Sequence, residues 1–413
     1  LALAALGAVP LAAPLLLVLA ASLPPPRRLG AAFGARDLAA HLRQTAVAAG
    51  AMAMAVAMLS GITVMIGSFR DTVAGWLAAT LRADVYVTTP SWRRGRVEAT
   101  LAPPIVERLG ALPGVAAVDR LRQLLAEVDG RRIAVSGIDA ALPQGARRVE
   151  LVGGGDPGPA LRALAERGEV LVSEPLARRA GLSPGGTVRI AGASGDGAFR
   201  VAGVYRDYGA ESGAVLLDLA EQARRFGPGP MTNVALYLAP GEDPERMVER
   251  VRAAFAGEAL VARSNRTLRR DALGVFEQTF AVTRLLQAMS LLVAVAGVTL
   301  ALLVLARERS AETALYRALG ATRGQVFAVF VGRGLGIALA GWALGAAGGA
   351  ALAAVLVEVI NPAWFGWTLG LHVPWGTLAR QTLVLLLASL AASVYPAARA
   401  SATPATELAR DAL

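Results

Sequence analysis

The fold is decided by Arg307-Glu308-Arg309-Ser310-Ala311-Glu312-Thr313-Ala314-Leu315-Tyr316-Arg317-Ala318-Leu319-Gly320, a charged stretch between two long apolar runs. Its alanines and leucines recur at the spacing of one face of an α-helix, and charges cover the other face. Gly320 follows the last apolar position, where a left-handed glycine would end the helix. Thr322 and Gln325 have the spacing of a capping box that begins the next helix. The stretch therefore predicts a short amphipathic helix between two membrane spans, placed where a cytoplasmic partner could displace it.

The composition indicates the class of protein and excludes several kinds of site. Of 413 residues, 55% are hydrophobic and grouped in blocks, which indicates an integral membrane protein with a sizeable soluble insert. There is no cysteine, so disulfides, thiolate metal sites and a cysteine nucleophile are excluded. The only histidines, His41 and His372, lie far apart, so neither a histidine metal cluster nor a catalytic triad is expected.

The charged residues bear on nucleotide and nucleic-acid binding. All 41 basic residues are arginine, so a phosphate-binding loop that ends in Gly-Lys-Ser/Thr cannot be present. Any ATP and Mg²⁺ that drive this protein are therefore expected to bind a partner ATPase, and no cofactor is expected in this chain. The net charge of +10 could suggest nucleic acid, but many arginines flank apolar runs, where the positive-inside rule places them. No nucleic-acid partner is predicted.

The order of apolar and polar segments predicts an α-helical integral membrane protein with an inserted α+β extracytoplasmic domain and about five transmembrane helices. The predicted segments are a transmembrane helix at 1–23, a cytoplasmic amphipathic segment at 24–45, a transmembrane helix at 46–68, the extracytoplasmic domain at 69–276 and a permease-like domain at 277–413. The last domain has predicted spans near 285–306, 326–357 and 378–394 and a cytoplasmic C-terminus. The final span is predicted to end on the cytoplasmic side at Tyr395-Pro396-Ala397-Ala398-Arg399. Leu1 already lies in an apolar run, which suggests that the natural beginning is missing.

Short apolar runs alternate with Gly, Pro and charge over 69–276, which predicts one large or two small α+β lobes. Strands are predicted at 83–89, 131–137, 169–173, 187–191, 199–205 and 232–238, and helices at 103–112, 175–180, 244–256 and 263–280. No nucleophile stands beside a base at a catalytic spacing, so no catalytic residue and no metal ligand is assigned.

Glycines and arginines of the spans give two further predictions. Gly341, Gly345 and Gly349 repeat every four residues, so one face of the fourth span is bare backbone on which another helix can pack. Arg284 and Arg333 lie near the starts of the third and fourth spans and are expected to reach the headgroup layer by snorkelling, with a place on an ion path as the alternative.

Tryptophans surround the loop between the last two spans. Trp364, Trp367 and Trp375 are predicted to be anchors at the membrane interface, where amphipathic rings are enriched. A contact surface for a lipid or a partner is the alternative.

The central stretch resembles FtsX-like ABC transporter permeases of the MacB and LolE type. The resemblance rests on the segment from Arg307-Glu308-Arg309 through Glu312 and on Leu315-Tyr316-Arg317-Ala318-Leu319-Gly320-Ala321-Thr322. It rests also on Tyr395-Pro396-Ala397-Ala398-Arg399-Ala400 with Pro404 and Glu407-Leu408. The segments Asp207-Tyr208-Gly209 and Leu182-Ser183-Pro184-Gly185-Gly186-Thr187-Val188 are similar to the extracytoplasmic (periplasmic core) domain found in MacB. The chain resembles the C-terminal half of a permease with duplicated halves, with one extra span at its start.

The resemblance implies a non-catalytic transmembrane subunit of an ABC transporter in the bacterial plasma (inner) membrane. A cytoplasmic ATPase dimer would dock on Arg309, Glu312, Leu315, Tyr316, Arg317, Leu319 and Gly320. ATP hydrolysis would move the extracytoplasmic domain and export or extract a lipid, lipoprotein or peptide-like substrate. A second permease half or subunit, membrane lipid, and a periplasmic or lipoprotein partner are the other expected contacts.

Two other classes of function stay open on the sequence alone. A membrane-anchored sensor or scaffold could regulate an extracytoplasmic partner without an ATPase. A secondary transporter would place ionisable residues in mid-span, and the predicted second, third and fifth spans have none at their centres.

Overall fold

The computed structural model describes residues 30–37, 42–90, 100–128, 130–142, 149–192, 195–210, 212–279 and 315–402, with scattered positions between 14 and 18 and between 285 and 304. The chain divides into two compact units. The helical unit comprises Leu1–Phe69, Thr279–Val359 and Gly370–Leu413, and the sheet unit comprises Arg70–Gln278 and Ile360–Leu369.

Helices and strands are numbered separately in chain order. The helices are α1 (Ala31–Asp37), α2 (Leu42–Thr80), α3 (Pro103–Gly110), α4 (Gly158–Arg167), α5 (Glu174–Ala180), α6 (Leu219–Phe226), α7 (Pro244–Ala254), α8 (Asn265–Thr279), α9 (Arg323–Ala354), α10 (Asn361–Phe365) and α11 (Trp375–Ala402). The strands are β1 (Val85–Thr88), β2 (Val115–Val128), β3 (Arg131–Ile138), β4 (Val170–Ser173), β5 (Thr187–Gly192), β6 (Gly195–Tyr205), β7 (Ala214–Asp218), β8 (Asn233–Leu238) and β9 (Val261–Ser264). A π-helical turn, Val355–Ile360, joins α9 to α10.

Among the described residues, three helices are long and apolar enough to cross a membrane: Thr45–Thr80, Arg323–Phe365 and Trp375–Ala398. They contain the spans predicted at 46–68, 326–357 and 378–394. The spans predicted at 1–23 and 285–306 lie outside the described residues except for scattered positions, so the total of five stays a prediction.

The helix of the last span continues into the segment predicted to end that span. Tyr395-Pro396-Ala397-Ala398-Arg399 is expected to mark its cytoplasmic end, and α11 runs through Pro396 to Ala402, with its membrane-length part ending at Ala398. A proline removes the one hydrogen bond that its own N–H would donate to the preceding turn, and it often kinks or breaks a helix. Here the bonds on either side are sufficient to continue it.

The long helices of the helical unit are tied together by polar side chains within an apolar core. The indole Nε1 of Trp342 in α9 donates to the hydroxyl of Thr382 in α11 at 3.1 Å. The amide of Gln381 in α11 donates to the hydroxyl of Thr63 in α2 at 3.0 Å. Since a polar group in an apolar surrounding must find an internal partner, these bonds fix which helix faces meet.

The sheet unit is built on one sheet that serves two lobes. The strand order is β3-β7-β4-β6-β5-β2-β8-β1-β9, and β2 pairs with β3 as well, so the first six strands close into a ring. Residues 121–128 of β2 pair with β3, and its first half pairs with β8. The sequence left open one lobe or two; the long strand β2 gives two lobes within one sheet.

Each lobe has its own buried core. The ring encloses aliphatic side chains that include Val135, Val172 and Val215. In the other lobe, β1, β8 and β9 pack against α3 and α7 through residues that include Leu109 and Met247. Every strand predicted over 69–276 is present, whereas β2, β7 and β9 and the helices α4 and α6 were not predicted.

Candidate functional site

Residues 315–320, named here the coupling segment, expose apolar side chains. Leu315 and Leu319 are 57% and 77% exposed. Gly320 has φ +93°, and its N–H donates to the carbonyl of Arg317 at 3.1 Å, while the N–H of Ala321 donates to that of Tyr316 at 2.9 Å. These bonds form the glycine-ended helix terminus that the sequence predicted. Two further residues of the predicted docking site, Arg309 and Glu312, lie outside the described residues.

The start of α9 is fixed by the predicted capping box. The N–H of Gln325 donates to the hydroxyl of Thr322 at 3.2 Å, and the N–H of Thr322 donates to the side-chain oxygen of Gln325 at 2.8 Å. Only Ala321 and Thr322 separate the coupling segment from α9.

Helix α1 lies against both the coupling segment and α9. The ring of Phe33 meets the ring of Tyr316 edge-on, with centroids 6.0 Å apart. A Cβ at Gly332 would lie 2.5 Å from the Cα of Ala31, and a Cβ at Gly34 would lie 2.8 Å from the carbonyl carbon of Val329. The two helices thus touch backbone to backbone, which only glycine permits.

An ion pair, not predicted from the sequence, joins α1 to α9. Arg333 is 2% exposed, and its guanidinium binds the carboxylate of Asp37, with Nε 3.1 Å from Oδ2. The guanidinium carbon also lies 5.2 Å from the centroid of the Phe330 ring. The expectation that Arg333 snorkels to the headgroups is therefore wrong, because the carboxylate offers it a partner at closer range. The two residues are 296 positions apart, so no spacing rule could have paired them.

The three glycines of α9 face α2. A Cβ at Gly341 would lie 2.6 Å from the Cβ of Met52, and Cβ atoms at Gly345 and Gly349 would collide with Val56 and Ser60. The bare backbone of α9 is in close contact with α2 along this face.

The tryptophans of the loop before α11 differ in exposure. Trp364 and Trp375 are 78% and 76% exposed, whereas Trp367 is 5% exposed. Trp367 stacks on Phe365 with centroids 5.4 Å apart and meets Tyr208 edge-on at 5.7 Å. A buried ring cannot anchor the chain in an interface, so Trp367 belongs to the core of the sheet unit. The anchor function of Trp364 and Trp375 stays a prediction.

Three side chains, Glu174, Tyr208 and Thr368, hold this loop in the sheet unit and are named here the clasp. The Glu174 carboxylate is buried and accepts from the backbone N–H of Thr368 at 3.1 Å, from its hydroxyl at 3.2 Å and from Arg178 at 3.1 Å. The Tyr208 hydroxyl donates to the Thr368 carbonyl at 2.9 Å. Burial raises the pKa of Tyr208 to about 12, so the phenol remains a donor at neutral pH.

Gly366 brings the loop close to α5. Its φ is +80°, a left-handed conformation that favours glycine, and a Cβ there would lie 3.0 Å from the Cα of Pro175. The loop of residues 360–369 is thus an integral part of the sheet unit, although it lies between two long helices in the sequence.

Comparison with known families identifies this arrangement. The model of the MacB-like periplasmic core domain matches residues 45–254, half of the chain, and the model of the FtsX-like permease C-terminal region matches residues 285–405. The chain belongs to the ABC transporter permeases with a MacB-like periplasmic core domain. This permease is 34% identical over 369 residues to an uncharacterized ABC transporter permease protein, Rv0987, of Mycobacterium tuberculosis, an alignment that covers 88% of the chain and 43% of the relative. The chain thus spans less than half the length of that relative.

Two solved structures are similar to part of this permease at low sequence identity. The periplasmic region of MacB from Actinobacillus actinomycetemcomitans is 13% identical, with a TM-score of 0.34. The match covers 48% of this chain and 95% of the MacB chain. The extracellular domain of YknZ, a noncanonic ABC-type transporter from Gram-positive bacteria, is also 13% identical, with a TM-score of 0.30. The match covers 44% of this chain and 98% of the YknZ chain.

The coupling segment of the permease presents an apolar surface. It exposes two leucines, and its Tyr316 ring packs against Phe33 of α1. Within the described residues, no group of three or more His, Asp or Glu side chains is placed to hold a metal ion.

Proposed function

We propose that this chain is the transmembrane subunit of an ABC transporter that couples ATP hydrolysis by a separate ATPase to mechanical movement of its periplasmic core domain. The exposure of Leu315 and Leu319 supports this proposal most directly, since both sit on a helix end whose geometry is fixed by backbone bonds. Exposed leucines on a rigid turn favour a partner that covers them. The absence of lysine requires that ATP and Mg²⁺ be bound by that partner if the Gly-Lys-Ser/Thr loop is used.

The direction of coupling follows from the contacts of the coupling segment. The partner ATPase dimer would seat the two leucines, and closure on ATP would displace the segment together with α9. The substrate class that suits such movement is a lipid, lipoprotein or peptide-like molecule, exported or extracted in the plasma membrane. A second permease half or subunit would complete the transporter, in keeping with the 43% coverage of the longer relative.

The proposal is tested by placing a charge in the docking face. We expect Leu319→Asp to weaken co-purification of the ATPase in mild detergent about a hundredfold, because burying an unpaired charge costs on the order of 3 kcal/mol. Stimulated ATP hydrolysis should fall in parallel. The matched control is Leu125→Asp, a leucine that is 51% exposed in the sheet unit, which should leave both quantities unchanged.

Two outcomes would contradict the proposal. One is that no ATPase co-purifies with the unaltered chain, which would favour a membrane-anchored sensor or scaffold. The other is that Leu319→Asp retains full ATPase binding and stimulation.

A further inference from the structure

The sheet unit contains a cavity of about 540 Å³ that the coupling mechanism does not use. Its walls come from β1, β2, β3, β7, β8 and β9, from the end of α2, from the start of α8 and from the end of β6 with the turn after it. All of the lining residues belong to the sheet unit. The volume lies within the range of roughly 300–1,000 Å³ that is common for small-molecule sites.

The walls of the cavity are largely aromatic and aliphatic. Trp76, Tyr86, Tyr205 and Tyr237 line it together with leucines, isoleucine and valines from the sheet. The Trp76 indole is held in place, because its Nε1 donates to the carbonyl of Arg206 at 3.1 Å and its ring meets Tyr208 edge-on at 5.6 Å. A rigid aromatic wall favours an apolar ligand, since little side-chain freedom is lost on binding.

The arginines in the wall are already matched by carboxylates. The Arg206 guanidinium binds Glu150, and Arg263 binds Asp271 at 3.2 Å. These pairs leave no surplus of positive charge to attract an anion. Two donors at this wall, the Nε of Arg206 and the hydroxyl of Thr80, are buried without a hydrogen-bond partner among the described residues. They point to a ligand that offers a hydrogen-bond acceptor.

Asp207 supplies negative charge to the same wall. Its Oδ1 accepts from the backbone N–H of Gly209 at 2.9 Å, and its Oδ2 lies 3.4 Å from the Tyr205 hydroxyl. The Gly209 N–H and the Tyr205 hydroxyl are neutral hydrogen-bonding groups rather than cations. Burial raises the pKa of Asp207, and the hydrogen bonds oppose that shift. A positive charge brought to this carboxylate would therefore be stabilised by it, and aromatic faces nearby would stabilise the same charge.

We propose that this cavity binds an apolar, aromatic or acylated amine that also has a hydrogen-bond acceptor. The protonated amine pairs with Asp207, the acceptor receives the Nε–H of Arg206, and the apolar part packs on Trp76 and the tyrosines. This binding site goes beyond the proposed ATPase-driven function. Because ligand binding is measured on the permease chain alone, a failure to bind the ligand would not bear on ATPase coupling.

The probe is dansylcadaverine, an aromatic sulfonamide joined to a primary amine, and its matched control is N-acetyldansylcadaverine, which lacks the charge. The full chain is placed in phosphatidylcholine nanodiscs, and saturable energy transfer from tryptophan to dansyl is recorded after subtraction of empty nanodiscs. We expect the amine to bind about tenfold more tightly than its acetylated form, a factor that corresponds to ~1.4 kcal/mol for the charge pair.

Variants assign the binding to this cavity. Asp207→Asn should weaken the amine about tenfold and leave the acetylated probe unchanged, whereas Glu127→Gln, at an exposed carboxylate outside the cavity, should change neither. Ser136→Leu adds a branched side chain to the wall and should weaken both probes. Equal affinity of the two probes for the unaltered chain would overturn the proposal, and this comparison needs no variant to fold. The proposal would also be overturned if the nanodiscs that contain the chain took up no more dansylcadaverine than empty nanodiscs.

Discussion

At the scale of single residues, the pair of Asp37 and Arg333 shows how the helical unit fixes the position of α1. A guanidinium that is 2% exposed is costly to bury, and the carboxylate 3.1 Å away offsets that cost. We expect the pair to specify where α1 lies more than it raises the total stability, because two apolar side chains of similar volume could stabilise the contact as well.

We therefore expect Asp37→Ala to destabilise the helical unit by about 3–5 kcal/mol, because it leaves the arginine charge buried and unmatched. The double variant Asp37→Leu with Arg333→Met should recover most of that loss. Thermal unfolding of the purified chain in one detergent measures both effects. Glu107→Gln, at an exposed carboxylate of α3, is the control and should unfold like the unaltered chain. If Asp37→Ala were as stable as this control, the Arg333 charge would be solvated without its carboxylate partner.

At the scale of elements, the glycines of α9 can be tested by adding one methyl group. Gly345 and Gly348 lie in the same helix, but a Cβ at Gly345 would collide with Val56, whereas a Cβ at Gly348 would lie 3.4 Å from the Cβ of Ala57, an ordinary contact. Alanine is favoured over glycine within a helix by about 1 kcal/mol at either position. The two sites thus share the backbone effect and differ in packing.

We expect Gly348→Ala to keep or raise stability, by up to about 1 kcal/mol, and Gly345→Ala to lower it by about 1–3 kcal/mol through overpacking against α2. Thermal unfolding in the same detergent, compared with the unaltered chain, measures the difference. Equal stability of the two variants would mean that α2 can move away from α9 at little cost.

The sequence predicted those elements whose signals are local. Apolar length located α2, α9 and α11, and Gly320 and the Thr322–Gln325 box gave the helix boundaries around the coupling segment. Strand β2 was missed because residues 115–128 mix charges with apolar residues, and its two halves pair with different neighbours. The clasp and the Asp37 pair could not be predicted, since they join residues 194, 160 and 296 positions apart.

At the scale of the whole molecule, the clasp lies in a segment where the chain passes from the helical unit to the sheet unit and back. The chain leaves the helical unit after Val359, enters the sheet unit for residues 360–369 and returns to the helical unit at Gly370. The loop is held in the sheet unit by Glu174 and Tyr208 through bonds to Thr368. The loop therefore has its middle in the sheet unit, while the helices at its two ends belong to the helical unit.

We expect ATP hydrolysis by the partner to change the exposure of residue 368. The chain has no cysteine, so maleimide labelling of Thr368→Cys reports on one site. In the reconstituted complex, ATP should change the labelling rate about threefold or more, and adding Leu319→Asp should abolish this change while leaving the rate without nucleotide unaltered. Leu125→Cys, exposed on the sheet, should be labelled at one rate in every state. An identical rate for Thr368→Cys with and without ATP would mean that movement does not reach the clasp, because a loop fixed at its middle cannot stay equally buried while its ends are drawn apart.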